Sequence, residues 1–189
     1  MAIDVDAFLM LSDALIGDVK AALELMGVTH RSQFARRTYV RALFANIEGW
    51  TNLSKQLLLE ETALHIIPLT IADSVVLREE SHEVNDDGTI VAKQRFIPLH
   101  KNVRLVFSLT SKYFGGPNVL DPSSTGWRAF RDAIVIRNRL MHPRTPADLD
   151  VLDSELEMVI EAQKWFLKIT DELQDRAWSA LGGKDNFEV

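Results

Sequence analysis

The chain has 189 residues, 47% hydrophobic and 25% charged, enough to bury the core of one soluble globular domain spanning 1–189 and too little to expect a second. The absence of cysteine removes disulfides, thiol catalysis and zinc–thiolate sites, and no apolar run approaches the roughly 20 residues of a membrane span. The net charge of −6 argues against a general nucleic-acid coat protein, and the opening Met1-Ala2-Ile3-Asp4-Val5-Asp6, without a basic region, leads us to expect a cytoplasmic protein.

Helical periodicity dominates. Val5 to Met26 predicts an amphipathic helix ending at Gly27. Ser32 can cap a long second helix in which Val40, Leu43, Phe44, Ile47, Trp50, Leu53, Leu57 and Leu58 recur at three- and four-residue spacing, until Pro68 breaks its continuation. A further helical piece is expected over Ile71 to Arg78. Between Ser81 and Pro98 the pattern changes: Asn85-Asp86-Asp87-Gly88 is a turn signal beside β-prone Thr89-Ile90-Val91, so a small hairpin or irregular loop is expected. A helix from Leu99 to Tyr113 closes at Gly115-Gly116-Pro117. Asp121 to Thr125 starts the next, and a last long helix opens at Asp148 or Asp150 and runs towards Leu181-Gly182-Gly183. The sum is an all-α antiparallel bundle with a small insertion around 81–98.

Charge is focused within this frame. From Gly126 to Arg144 there are five arginines (Arg128, Arg131, Arg137, Arg139, Arg144) against Asp132, a local +4 that leaves −10 on the rest; Arg31, Arg36, Arg37 and Arg41 form a second basic group. One positive place on an acidic body suits a protein that engages phosphate locally. Solvated helix faces are the plainer reading of Arg128, Arg131 and Arg139.

The helix carrying this charge projects Phe130, Ala133, Ile134, Ile136, Leu140 and Met141 onto one apolar half, with Arg137 near its middle. A guanidinium there needs a carboxylate, a carbonyl cluster or an anionic ligand, since arginine does not shed its charge. Glu48 or Glu60 on a neighbouring helix would be the structural partner. Pro143 biases His142 out of the α region and ends the helix at Met141, leaving an imidazole at a C-terminus whose carbonyls favour its charged form. It can exchange protons at cellular pH.

Arg137-Asn138-Arg139-Leu140-Met141-His142 resembles the R-polar-x-x-x-H signature of the HEPN superfamily, here at the end of a helix in an all-α chain. The resemblance implies a helical bundle that pairs two-fold so that two signatures face each other, and metal-independent endoribonuclease activity that needs no cofactor. It also implies a toxin, phage-defence or RNA-processing role, with an antitoxin or regulatory protein as a partner besides RNA. Arg137, Asn138 and His142 would be its catalytic residues, and Arg131, Arg139 and Arg144 would bind RNA around them. In members paired with nucleotidyltransferase antitoxins a tyrosine stands two positions after the histidine; here Arg144 stands there, so control by tyrosine modification is not implied.

The chemistry of these residue types suits RNA cleavage. His142 supplies proton transfer, Arg137 braces a phosphate through paired N–H donors, and Asn138 orients the phosphate or the imidazole. One histidine serves poorly as both acid and base across one phosphorus, which favours a dimer. Rival readings are weaker. A non-catalytic module binding nucleotide, RNA or a partner protein would use the same groove. Arg95-x4-His100 repeats the spacing, but Pro98 interrupts it and the polar residue is missing, so it reads as chance. Glu79-x-x-His82 and Glu61 with His65 touch on di-iron spacing without the required second copy. Trp50, Trp127, Trp165 and Trp178 lie on or beside apolar stripes and read as core packing or an interface, not as base-stacking residues.

Overall fold

The computed structural model describes residues 5–29, 31–63 and 68–180. Helix α1 (Val5–Val28) packs along α2 (Gln33–Ala63), followed by the short α3 (Ile71–Leu77), the strands β1 (Glu80–Val84) and β2 (Ile90–Gln94), and three helices, α4 (Leu99–Phe114), α5 (Thr125–Met141) and α6 (Asp153–Ala180). The expected all-α bundle with a small insertion is the observed architecture. β1 and β2 are antiparallel, with Glu80 opposite Gln94 and Val84 opposite Ile90. The Asn85–Thr89 loop closes them, Gly88 taking a left-handed φ of 82° and Asp87 accepting from the Thr89 N–H at 2.9 Å.

Two helical pairs form the body, α1 with α2 and α5 with α6, and α2 also packs against α4, α5 and α6. Every-third-or-fourth spacing buries Tyr39, Val40, Leu43, Phe44 and Ile47 of α2 against Phe130, Ala133 and Leu140 of α5 and Leu156, Val159 and Phe166 of α6. Aromatic rings fill the centre. Trp50 lies 5.4 Å from both Phe107 and Phe166, and Trp165 lies 5.4 Å from Phe130 and 5.8 Å from Trp127, so these three tryptophans are core residues as expected. Truncating fully buried Phe130 would cost about 3–5 kcal/mol. Gly126 permits the close approach of α5 to α6: a Cβ there would meet Trp165 Cδ1 at 2.1 Å.

Several boundaries differ from those read in the sequence. Gly27 lies inside α1, which ends where Thr29 donates its hydroxyl back to Leu25 O at 2.6 Å and Arg31 takes a left-handed φ of 60°. The last helix begins at Asp153, because Asp148 instead anchors a 3₁₀ turn, Pro146–Leu149, by accepting from the Arg144 and Thr145 N–H groups at 2.8 Å each. Ser124 caps α5 by accepting from the Trp127 N–H at 3.2 Å, and the helix stops at Met141, before His142 and Pro143. The region expected beyond Ala180, at Leu181-Gly182-Gly183, lies outside the described residues, as do His65 and the side chains of Glu61 and Trp178.

Candidate functional site

The outer face of α5 carries the site. Residues 131, 135, 138 and 142 follow one another at helical spacing, and Arg131, Val135, Asn138 and His142 are all exposed while Phe130, Ala133, Ile136 and Leu140 are buried on the opposite side. Met141 and Ile134 do not join that buried side as their projection suggested: Met141 is exposed and Ile134 half-buried, since the helix is covered on one flank only.

Arg137 projects between these faces and its side chain is 24% exposed. Its charge has the anticipated structural partner: Nη2 donates to Glu48 Oε1 of α2 at 2.5 Å, and Nη1 donates to Asn138 Oδ1 at 3.1 Å. Arginine and asparagine thus act as one unit, with Asn138 fixing the guanidinium. His142 stands one turn beyond Asn138, its backbone N–H donating to Asn138 O at 3.0 Å, and its imidazole has no hydrogen-bond partner among the described residues.

The three arginines expected to contact RNA part company. Arg131 and Arg144 are exposed, with no carboxylate against their guanidinium groups among the described residues. Arg139 is placed differently: it donates to both carboxylate oxygens of Glu155 at 2.8 Å and to Asp150 O at 2.8 Å, tying α5 to the start of α6. Burial opposes ionisation of Glu155, yet the Arg139 bonds and the Leu152 N–H outweigh it and hold that carboxyl below its ordinary value. Arg139 is a structural clasp, and the sequence pattern could not reveal this because its partner lies beyond the intervening turn.

Three members of the second basic group, Arg36, Arg37 and Arg41, are likewise structural. Arg36 donates to Val151 O at 2.7 Å and Asp153 at 2.6 Å, Arg37 to Leu149 O at 3.1 Å, and Arg41 to Leu140 O at 3.2 Å. These bonds satisfy carbonyls at the end of α5 and after it, and so fix the chain on both sides of His142.

A cleft of about 580 Å³ opens beside Arg137 and Asn138, between α5, α2, the segment after β2 and the start of α4. Arg131 lines it. So does His100, the histidine whose Arg-x4-His spacing reads as chance in the sequence. Pro98 caps α4 without any side-chain hydrogen bond, which places His100 in the first turn of that helix. Burial lowers the His100 pKa below its ordinary value, and the charges of Arg131 and Lys101 push the same way. Only the fold, which brings residue 100 to residue 131, could have identified this neighbour.

Deeper in the same region Lys55 and Glu79 form an ion pair whose side chains are 5% and 21% exposed, and Asn102 donates to Glu79 at 2.9 Å and to Ile97 O at 3.1 Å. Glu79 occupies a left-handed turn (φ 54°) before β1, and His82 lies on that strand, so the two share no helical face on which to hold a metal as a Glu-x-x-His pair. Compared with known proteins, the chain matches no family model, no curated protein and no solved structure.

Proposed function

We propose that the chain is a metal-independent endoribonuclease of HEPN type, acting as a two-fold homodimer in a toxin, phage-defence or RNA-processing role. The observation that carries this reading is that Arg137, Asn138 and His142 follow one another at the C-terminal end of α5, the Arg137 guanidinium donating to Asn138 and the imidazole without a hydrogen-bond partner among the described residues. In the reaction a base takes the 2′-hydroxyl proton, the 2′-oxygen bonds to phosphorus, the P–O5′ bond breaks, and an acid protonates the departing 5′-oxygen. A 2′,3′-cyclic phosphate and a 5′-hydroxyl result. His142 of one protomer and its symmetry mate divide the two proton transfers, and Arg137 stabilises the charge gathering on the phosphate oxygens.

The exposed face of α5 suits the pairing. Val135 is 67% exposed and Met141 46% exposed, side by side with Asn138 and His142. A two-fold joint there buries both apolar side chains and sets the two histidines across one groove.

One labelled single-stranded RNA tests the reading. Cutting is expected to continue in EDTA, to spare DNA of the same sequence and to stop where 2′-O-methyl groups replace the nucleophile. His142→Ala should lower the rate roughly 10²–10⁴-fold with little change in RNA affinity, whereas Arg137→Ala should weaken both. Equal cutting by wild type and His142→Ala ends the reading. A binding module without catalysis is the second reading, favoured by the Glu48 carboxylate that already neutralises Arg137; it gives RNA binding with no cleavage above background in any variant.

A further inference from the structure

In this isolated chain the cationic capacity of the cleft is not centred on Arg137, whose two terminal nitrogens already serve Glu48 and Asn138. Of the acidic groups lining the cleft, Glu48 is turned to Arg137 and Glu79 to Lys55 and Asn102. Arg131 has no such partner among the described residues. It stands six positions before Arg137, roughly 9 Å along the helix axis. His100 lines the same cleft from α4, and Lys101 adds a positive charge next to it. The backbone N–H groups of Leu99 and His100 open α4 with no side chain to cap them, and a helix start of this kind favours a negative ligand.

A second observation concerns the kind of anion. Asn102 lines the cleft and is only 8% exposed; its Nδ2 is used twice, while its Oδ1 is buried with no partner. A buried acceptor without a donor is costly. Inorganic phosphate offers only its own P–OH protons as donors, whereas a ribonucleotide adds sugar hydroxyl and base amine hydrogens beside its phosphate.

We propose that His100 and Arg131 form a second phosphate seat in the cleft, holding the backbone phosphate next to the one braced by Arg137 on the same ribonucleotide strand. The proposal rests on the nuclease reading for the identity of the strand, and it makes His100 a binding residue of the site. Bound phosphate supplies the negative charge that the surroundings of His100 lack, so binding draws a proton onto the imidazole and strengthens as the pH falls. The groups facing the imidazole set the sign: Arg131 and Lys101 oppose its protonation in the free protein, and the phosphate reverses their effect.

The test follows the His100 ring proton by NMR in the full-length protein, with His100→Gln to assign the signal. The probes are an RNA tetramer with a 2′-deoxy sugar at the cut position, 5′-AMP and inorganic phosphate. The RNA and 5′-AMP are expected to raise the midpoint of the His100 titration, and inorganic phosphate to do so only weakly. Arg131→Ala, an exposed position whose fold is checked by circular dichroism, should abolish the response. It should also weaken RNA binding about tenfold at low salt and flatten the dependence of log affinity on log salt by about 0.7, the share of one phosphate on a single strand. A His100 signal unmoved at RNA saturation, or a wild-type salt slope in Arg131→Ala, overturns the seat. Equal responses to inorganic phosphate and RNA overturn its assignment to a ribonucleotide. A His100 response without any RNA cutting upholds the seat and sinks the nuclease, while cutting with a silent His100 does the reverse.

Discussion

Glu48→Gln separates an arginine held in place from an arginine held back. The substitution keeps the length of the side chain and a carbonyl oxygen able to accept from Arg137, so the fold should change little. The pair it weakens is partly exposed, 24% on the arginine side and 37% on the glutamate side, and such pairs contribute about 0.5–1 kcal/mol. For a chain of this size that lowers the melting temperature by about 2 °C. Its effect on RNA is opposite in sign. A phosphate bound near Arg137 lies on the order of 7 Å from the Glu48 carboxylate, and Coulomb's law with an effective dielectric of about 40 gives about 1.2 kcal/mol of repulsion. Removing that charge is expected to tighten binding about sevenfold. Fluorescence anisotropy with a labelled, non-cleavable RNA at fixed salt measures it, with a thermal melt as the control. Unchanged or weaker affinity in a folded Glu48→Gln protein refutes the reasoning, because it means that Glu48 orders the guanidinium for its ligand and does not compete with it.

Val135→Glu places two like charges in the proposed two-fold joint; sedimentation should show the dimer lost and RNA cutting lost with it, since Val135 is 67% exposed in the single chain and the fold has no need of it. Tyr113→Phe tests acid stability: the Tyr113 hydroxyl, with Lys112 and Thr70, holds the Asp73 carboxyl well below the usual carboxylate range against a smaller effect of burial. A depressed carboxylate contributes its stability above an unfolded pKa of about 3.9 and loses it as the pH falls. The variant should therefore lose about 1 kcal/mol at neutral pH and unfold at a higher pH during acid titration, read by circular dichroism. Gly126→Ala drives a methyl into Trp165 and should cost about 1–3 kcal/mol in urea unfolding; a neutral result would show that α5 and α6 are less closely packed than described.

Local signals were legible, and most distant partners were not. The stop at Met141 follows from His142-Pro143, and the hairpin between the two strands from Asn85-Asp86-Asp87-Gly88, because proline and glycine act on their own backbone and immediate neighbours. The need of Arg137 for a carboxylate was also legible, down to the choice of Glu48 or Glu60, since periodicity placed both on the adjoining helix. The start of α6 was misplaced: Asp148 is a good helix opener in sequence, but its carboxylate turns back to the Arg144 and Thr145 N–H groups and uses its capping capacity on a 3₁₀ turn.

The arginines show most clearly where sequence reasoning stops. Arg131 and Arg139 lie on one helix, eight residues apart, with the same chemistry and the same two readings in the sequence, phosphate contact or solvated face. What separates them is the far side of each guanidinium. Glu155 on the next helix closes around Arg139, while Arg131 faces a cleft in which the approaching side chain is His100. Charge along a sequence therefore marks where cations are made, and only tertiary pairing decides which of them remain available to a ligand. That selection ties Arg36, Arg37, Arg41 and Arg139 into the fold and leaves Arg131 open to the cleft, less than two turns before the motif arginine.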